Sequence, residues 1–193
     1  MITHIQGKLT EKNPTHVVID CNGVGYMLNI SLHTYSQIPD NENLKLFTHL
    51  QVKEDSHTLY GFSSLAEREI FRLLISVSGI GASTARTMLS SLTPKQVREG
   101  IAGNDVALIQ SIKGIGAKTA QRVIIDLKDK ILKIYDIDEV SVYQDNTNKD
   151  EALSALEVLG FAKKQAERVV DKIMIAHPDA NVETIIKQAL KNL

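Results

Sequence analysis

Two hydrophobic periods divide this chain. Up to Phe62, short runs rich in Val, Ile, Tyr, Phe and Thr are set apart by turn residues, and each run reads as a strand: Ile2 to Leu9, Thr15 to Cys21, Gly25 to Ile30, Leu44 to Val52 and Thr58 to Phe62. Asn13-Pro14 and Asn22-Gly23 mark tight turns, and Leu32 to Ile38 fits one short helix before Pro39-Asp40. Five short strands within about sixty residues suit a small closed barrel of the oligonucleotide-binding type. From Ser64 the period becomes helical, with Leu65, Ile70, Phe71, Leu73 and Leu74 forming an apolar stripe among Glu67, Arg68, Glu69 and Arg72.

Helix starts then recur. Thr93-Pro94-Lys95-Gln96 carries a capping Thr, a Pro at the first helical position and a Gln that completes a capping box. Asn104 is expected to cap a short helix through Ile109, and a long helix is expected from Ala117 to about Ile134. The polar, acidic stretch over 136–148 lacks any period and reads as a flexible linker. Beyond it the helical pattern returns in three short segments: Asp150 to Leu159 ended by Gly160, Ala162 to Ala176 before Pro178, and Val182 to Leu190 capped by Asn181. The expected fold class is therefore α+β and multi-domain. It comprises a barrel over 1–63, an all-α domain over 64–135, the linker, and a small three-helix bundle over 149–193 of a size typical of an interaction module.

The most informative feature is a repeat. Residues 74–85 (LISVSGIGASTA) align with 109–120 (IQSIKGIGAKTA) at a spacing of 35, with seven of twelve positions identical. In each copy two glycines flank one isoleucine, which allows a turn tight enough for the next helix to start at once, Ile80 or Ile115 plugging the gap. The amides of Gly79, Gly81, Gly114 and Gly116 and of the helix starts behind them then suit a phosphate. This is the pattern of a tandem helix-hairpin-helix pair. Two other glycine motifs fail here. A P-loop needs Gly where Ala117 and Ile112 stand, and a dinucleotide fingerprint needs a third Gly where Thr84 and Thr119 stand.

Charge changes the picture once it is divided along the chain. The net charge of -1 hides -2 over residues 1–64, +5 over 65–135 and -4 over 136–193. The basic part coincides with the repeat, as expected of a segment that meets a polyanion. Lys118 and Arg122 lie four apart on one helix face after the second hairpin, with Thr119 between them, and suit phosphate contact. The first copy has Ser83 and Thr87 at the matching positions and Arg86 one place off; Ser83 and Arg86 are its candidate phosphate ligands, poorer than those of the second copy, so the second hairpin is expected to carry more of the salt dependence. Contacts of this kind fix position without reading bases.

Other chemistry is thin. The one cysteine, Cys21, cannot form an internal disulfide and is expected to be a buried thiol; without a second cysteine a zinc finger is excluded. No cofactor or metal is expected. There is no run of 18 apolar residues and no basic leader ahead of an apolar stretch, so a cytoplasmic location is expected. Two further readings stay open on the residues alone: a metal-dependent nuclease using Glu54 and Asp55, which as neighbours on a strand would point to opposite faces, and a protein-interaction module whose hairpins only pack helices.

Taken in order, Val52-Lys53-Glu54-Asp55 and Leu59-Tyr60-Gly61-Phe62, the two Gly-Ile-Gly hairpins, and Ala155-Leu156-Glu157-Val158-Leu159-Gly160-Phe161 resemble the RuvA family of Holliday-junction-binding subunits, over all three segments. The resemblance implies a non-catalytic subunit of a DNA branch-migration complex in recombination and repair, built as a fourfold homotetramer that holds four-way junction DNA open. It implies a carboxy-terminal domain (UBA-like) that docks on the hexameric ATPase RuvB, for which Leu156, Leu159 and Phe161 are candidate contacts, and makes the resolvase RuvC a further candidate partner. It also maps the family's acidic pin onto Glu54 and Asp55. Ser83 and Ala117 depart from the family, where a more basic residue is common.

Overall fold

The structure is a computed structural model of the 193-residue chain, and describes residues 1–39, 43–132, 148–177 and 180–193. It separates into two compact units that divide between residues 139 and 140. The linker expected over 136–148 lies outside the described residues except Asn148, which opens a helix.

In the first unit, β1 (His4–Asn13), β2 (His16–Cys21), β3 (Val24–Asn29), β4 (Asn43–Val52) and β5 (His57–Phe62) close into a barrel of order β1-β2-β3-β5-β4. All pairings are antiparallel except β3 with β5. The helix α1 (Leu32–Gln37) makes the crossover between β3 and β4, capped by Ser31, whose hydroxyl accepts from the Thr34 amide at 2.9 Å. One side of the strands fills the barrel with Ile5, Val17, Ile19, Leu28, Leu44 and Leu46, joined by Ile30 just beyond β3. β1 turns the corner of the barrel, pairing with β4 over its first half and with β2 over its second, with a bulge between Leu9 and Glu11. The chains pass so closely at the bend that a Cβ on Gly7 would lie on the Asp20 carbonyl. Cys21 is half-buried rather than buried, a free thiol donating to the Gln6 carbonyl at 3.2 Å.

The helices α2 (Leu65–Ile75), α3 (Ala82–Ser91), α4 (Pro94–Ala102), α5 (Val106–Gln110) and α6 (Ala117–Ile131) share one core with the end of the barrel. Phe71 of α2 is the centre of that joint, with its ring 4.9 Å from Phe62, 5.0 Å from Tyr60 and 5.5 Å from His49. The capping box forms as the residues dictate: the Gln96 amide donates to Thr93 Oγ1 and the Thr93 amide to Gln96 Oε1. One expected cap is corrected. Asn104 turns the chain in the left-handed region at φ 57°, and it is Asp105 that caps α5, accepting from the Leu108 amide at 2.9 Å.

The second unit is a bundle of α7 (Asn148–Val158), α8 (Lys163–Ala176) and α9 (Val182–Asn192) around Ala152, Leu156, Val170 and Ile185. Gly160 ends the first of these helices at φ 96°, and Asn181 caps the last through the Thr184 amide. Among the described residues no helix is long and apolar enough to cross a membrane.

Candidate nucleic-acid interface

The two copies of the repeat adopt one conformation. Gly79 and Gly114 take φ of 95° and 93°, a region closed to most side chains, and Gly81 and Gly116 take (-86°, 165°) and (-83°, 166°) as the caps of α3 and α6. In each copy the isoleucine amide donates back to the residue three before it, Ile80 to the Val77 carbonyl and Ile115 to the Ile112 carbonyl. Ser76 and Ser111 tie off the preceding helices by donating to Leu73 and Leu108 carbonyls, each at 2.7 Å. Ile80 and Ile115 are both 5% exposed, so each hairpin is plugged from within as its sequence requires. All four glycines stay on the surface.

Gly81 and Gly116 are more telling than their partners. Their φ is ordinary, and a Cβ on either would meet nothing within 4 Å. No intramolecular contact requires glycine there. No side chain caps α3 or α6, so the amides of their first turns face outward, where the helix dipole favours an anion. A methyl group at these positions would stand between such an anion and the amides.

The hairpins also touch each other. A Cβ on Gly79 would lie 3.7 Å from Thr119 Cγ2, and Arg122 Nη1 donates to the Ser78 carbonyl at 3.2 Å. The two bends are thus neighbours on one surface rather than being buried or turned apart. Lys118 is exposed with no partner among the described residues, and Ser83 is exposed at the matching place in the first copy. Lys113, exposed in the second hairpin opposite Ser78 of the first, was missed as a site residue although the alignment of the copies displays it.

Arg86 is placed differently from its expected role as a phosphate ligand. Its Nη1 donates to Asn29 Oδ1 at 2.8 Å and to the Thr15 carbonyl at 3.3 Å, so the guanidinium holds α3 to the barrel. Sequence spacing cannot reveal this, because Asn29 lies 57 positions away.

Glu54 and Asp55 occupy the tip of the β4–β5 hairpin. The Lys53 amide donates to the Ser56 carbonyl at 2.8 Å, leaving the two acids as the exposed centre of the turn. Being in a turn, they do not alternate across a strand as the sequence suggested. Ser56 Oγ donates to Asp55 at 3.2 Å. Among the described residues no three His, Cys, Asp or Glu side chains stand close enough to share a metal ion.

In the second unit Leu156 is 0% exposed and belongs to the core, which corrects its expected role as a partner contact. Leu159 is 58% exposed beside Val158, and Phe161 is half-buried against the bundle.

Three family models match the chain. Residues 1–61 match the RuvA N terminal domain, 71–129 a SAM-like helix-hairpin-helix tandem, and 147–193 the RuvA C-terminal domain. Relatives named "Holliday junction branch migration complex subunit RuvA" include those of Flavobacterium psychrophilum, 71% identical, and Christiangramia forsetii, 68% identical, each over 193 residues and the whole of both chains. The relative from Cytophaga hutchinsonii is 49% identical over 197 residues and 99% of each chain. On the barrel, the paired hairpins and this end-to-end similarity, the chain belongs to the RuvA family.

Proposed function

We propose that this protein binds four-way DNA junctions without reading their base sequence and serves as the DNA-holding subunit of a branch-migration complex in recombination and repair. The observation that carries this reading is the pair of identically folded, adjoining Gly-Ile-Gly hairpins, whose outward amides offer two anion sites in one basic surface. Phosphodiester oxygens on one duplex arm would accept from the first-turn amides after Gly81 and Gly116, with Lys118, Lys113 and Arg122 adding charge and Ser83 and Thr119 hydroxyls. Such contacts set position and register and carry no sequence information.

The acidic turn supplies what the hairpins lack. Carboxylates at Glu54 and Asp55 repel backbone phosphates, so an assembly that brings this turn to the centre of a junction keeps the crossing strands apart. A fourfold homotetramer would present one such turn and one hairpin pair to each arm. The chain itself performs no bond-breaking step; the work comes from the hexameric ATPase RuvB, recruited in the cytoplasm by the carboxy-terminal bundle. Leu159, with Val158 beside it and Phe161 partly open, forms the apolar contact. The relatives' names, which place them in a branch migration complex, support this reading.

The test is a competition gel shift on the full chain, with labelled junction challenged by unlabelled junction or by linear duplex of equal length. Junction should displace the probe at far lower concentration than duplex does. Equal competition, or specific cutting of either DNA in the presence of Mg²⁺, overturns the proposal.

A further inference from the structure

Glu67 is buried at the start of α2, and its carboxylate is the meeting point of three segments. Ser31 Oγ and Thr34 Oγ1, at the start of α1, each donate to it at 2.6 Å. The amide and hydroxyl of Ser63, where β5 leaves the barrel, each donate at 3.2 Å. On α3, Arg86 grips Asn29 as described, and Ser90 Oγ accepts from the Leu32 amide at 3.1 Å. These fasteners run from the barrel to α2 and α3, the two helices that flank the first hairpin.

A carboxylate withdrawn from water is costly unless several donors satisfy it, and an apolar joint would bind the two parts at least as firmly. What a fully satisfied polar joint adds is a single geometry, since its hydrogen bonds are lost if either side slides. The first repeat is also the one without a basic side chain for phosphate, having Ser83 and Thr87 where the second has Lys118 and Arg122, with its nearby arginine committed to the barrel.

We infer that the two repeats divide their labour: the second supplies charge to the DNA, and the first, through Glu67 and Arg86, fixes where the barrel's acidic turn stands relative to both hairpins. Glu67 and Arg86 are thus positioning residues for the discrimination of junction from duplex. This rests on the proposed function, since only a junction presents a centre for the acidic turn to occupy. On a plain duplex the hairpins act alone, and the joint has nothing to contribute.

The experiment measures dissociation constants of the full-length wild type and of Glu67→Gln, Thr34→Val, Arg86→Gln and Arg86→Lys, on a four-way junction and a linear duplex over a range of salt. Thr34→Val removes one donor from the barrel side with almost no change of volume, which keeps the test valid should Glu67→Gln fail to fold. Losing one hydrogen bond to the buried charge should cut the preference for junction over duplex about tenfold, with duplex affinity and its salt dependence unchanged. Arg86→Lys, which can still reach one acceptor, should recover part of the preference. Folded variants that keep the wild-type preference overturn the inference and leave the proposed function standing. A duplex salt slope flattened by about one unit in Arg86→Gln would instead make Arg86 a phosphate ligand, which also overturns it. A wild-type chain with no preference overturns both readings together.

Discussion

Because the two hairpins match in φ at the first glycine (95° and 93°) and in both angles at the second (-86°, 165° and -83°, 166°), a side chain at position 83 leaves the first hairpin just as one at 118 leaves the second. Ser83→Lys should therefore create, on the first hairpin, the phosphate contact proposed for Lys118 on the second. Each phosphate neutralised on duplex DNA contributes about -0.9 to the slope of log affinity against log salt. Lys118→Ala should flatten the slope by about 0.9, Ser83→Lys should steepen it by about 0.9, and Ser83→Ala should leave it in place. A fourfold dilution of salt, from about 0.2 M to about 0.05 M, then changes affinity by roughly 3.5-fold per contact, well within reach of fluorescence anisotropy on a labelled duplex. The double variant Ser83→Lys/Lys118→Ala should return to the wild-type slope. A folded Ser83→Lys protein whose slope does not move would mean that the first hairpin is not at a phosphate, and the two-point grip would be refuted.

Gly116→Ala, where φ is ordinary and the space is open, should cost only about 0.5–1 kcal/mol, the margin by which Ala is a poorer N-cap than Gly, yet weaken duplex binding; Gly114→Ala, at φ 93°, should cost about 1–2 kcal/mol of stability in chemical denaturation. The His49 imidazole is held below its ordinary value by burial against α2 and by Arg72 and Arg68, with Glu69 opposing. The fold thus favours its neutral form, so that His49's contribution is complete above about pH 6.5 and declines as pH falls below it; His49→Phe should flatten that part of the urea-denaturation profile between pH 7 and pH 5. Removing residues 150–193 should leave junction binding intact and abolish stimulation of the RuvB ATPase, with gel shift and phosphate release as the two readouts, and Leu159→Asp in the full chain should reproduce the second effect alone.

Local signals in the sequence were enough for the barrel strands, the capping box and the paired hairpins, because each depends on residues only a few positions apart. Thr93 and Gln96, or Gly114 and Gly116, state their own geometry. β1 was legible only to Leu9, since beyond the bulge Thr10-Glu11-Lys12-Asn13 is polar and loses the alternation of a half-buried strand, although it still pairs with β2. Asn104 and Asp105 are both good caps, and only the backbone angles decide that Asn104 bends the chain and Asp105 caps it.

What could not be read was the assignment of polar side chains to distant partners. Arg86 looked like a ligand for phosphate because its partners Thr15 and Asn29 come from the barrel, far away in sequence, and Glu67 looked like one more charge on an amphipathic helix because Ser31 and Thr34 are more than thirty positions away. Leu156 and Leu159 are three apart in the stretch Ala155-Leu156-Glu157-Val158-Leu159, yet one faces the bundle core and the other stands at the turn beyond the helix end. That difference follows from where α7 stops, which Gly160 marks only approximately.

Amide hydrogen–deuterium exchange on the full chain, free and saturated with junction DNA at low salt, reads the two-point grip at the backbone itself. Protection should appear together in the segments 79–84 and 114–119, where outward main-chain N–H groups meet phosphate oxygens. Protection in only one of these segments, or in neither while the DNA is fully bound, would mean that the paired hairpins do not hold the DNA by their amides.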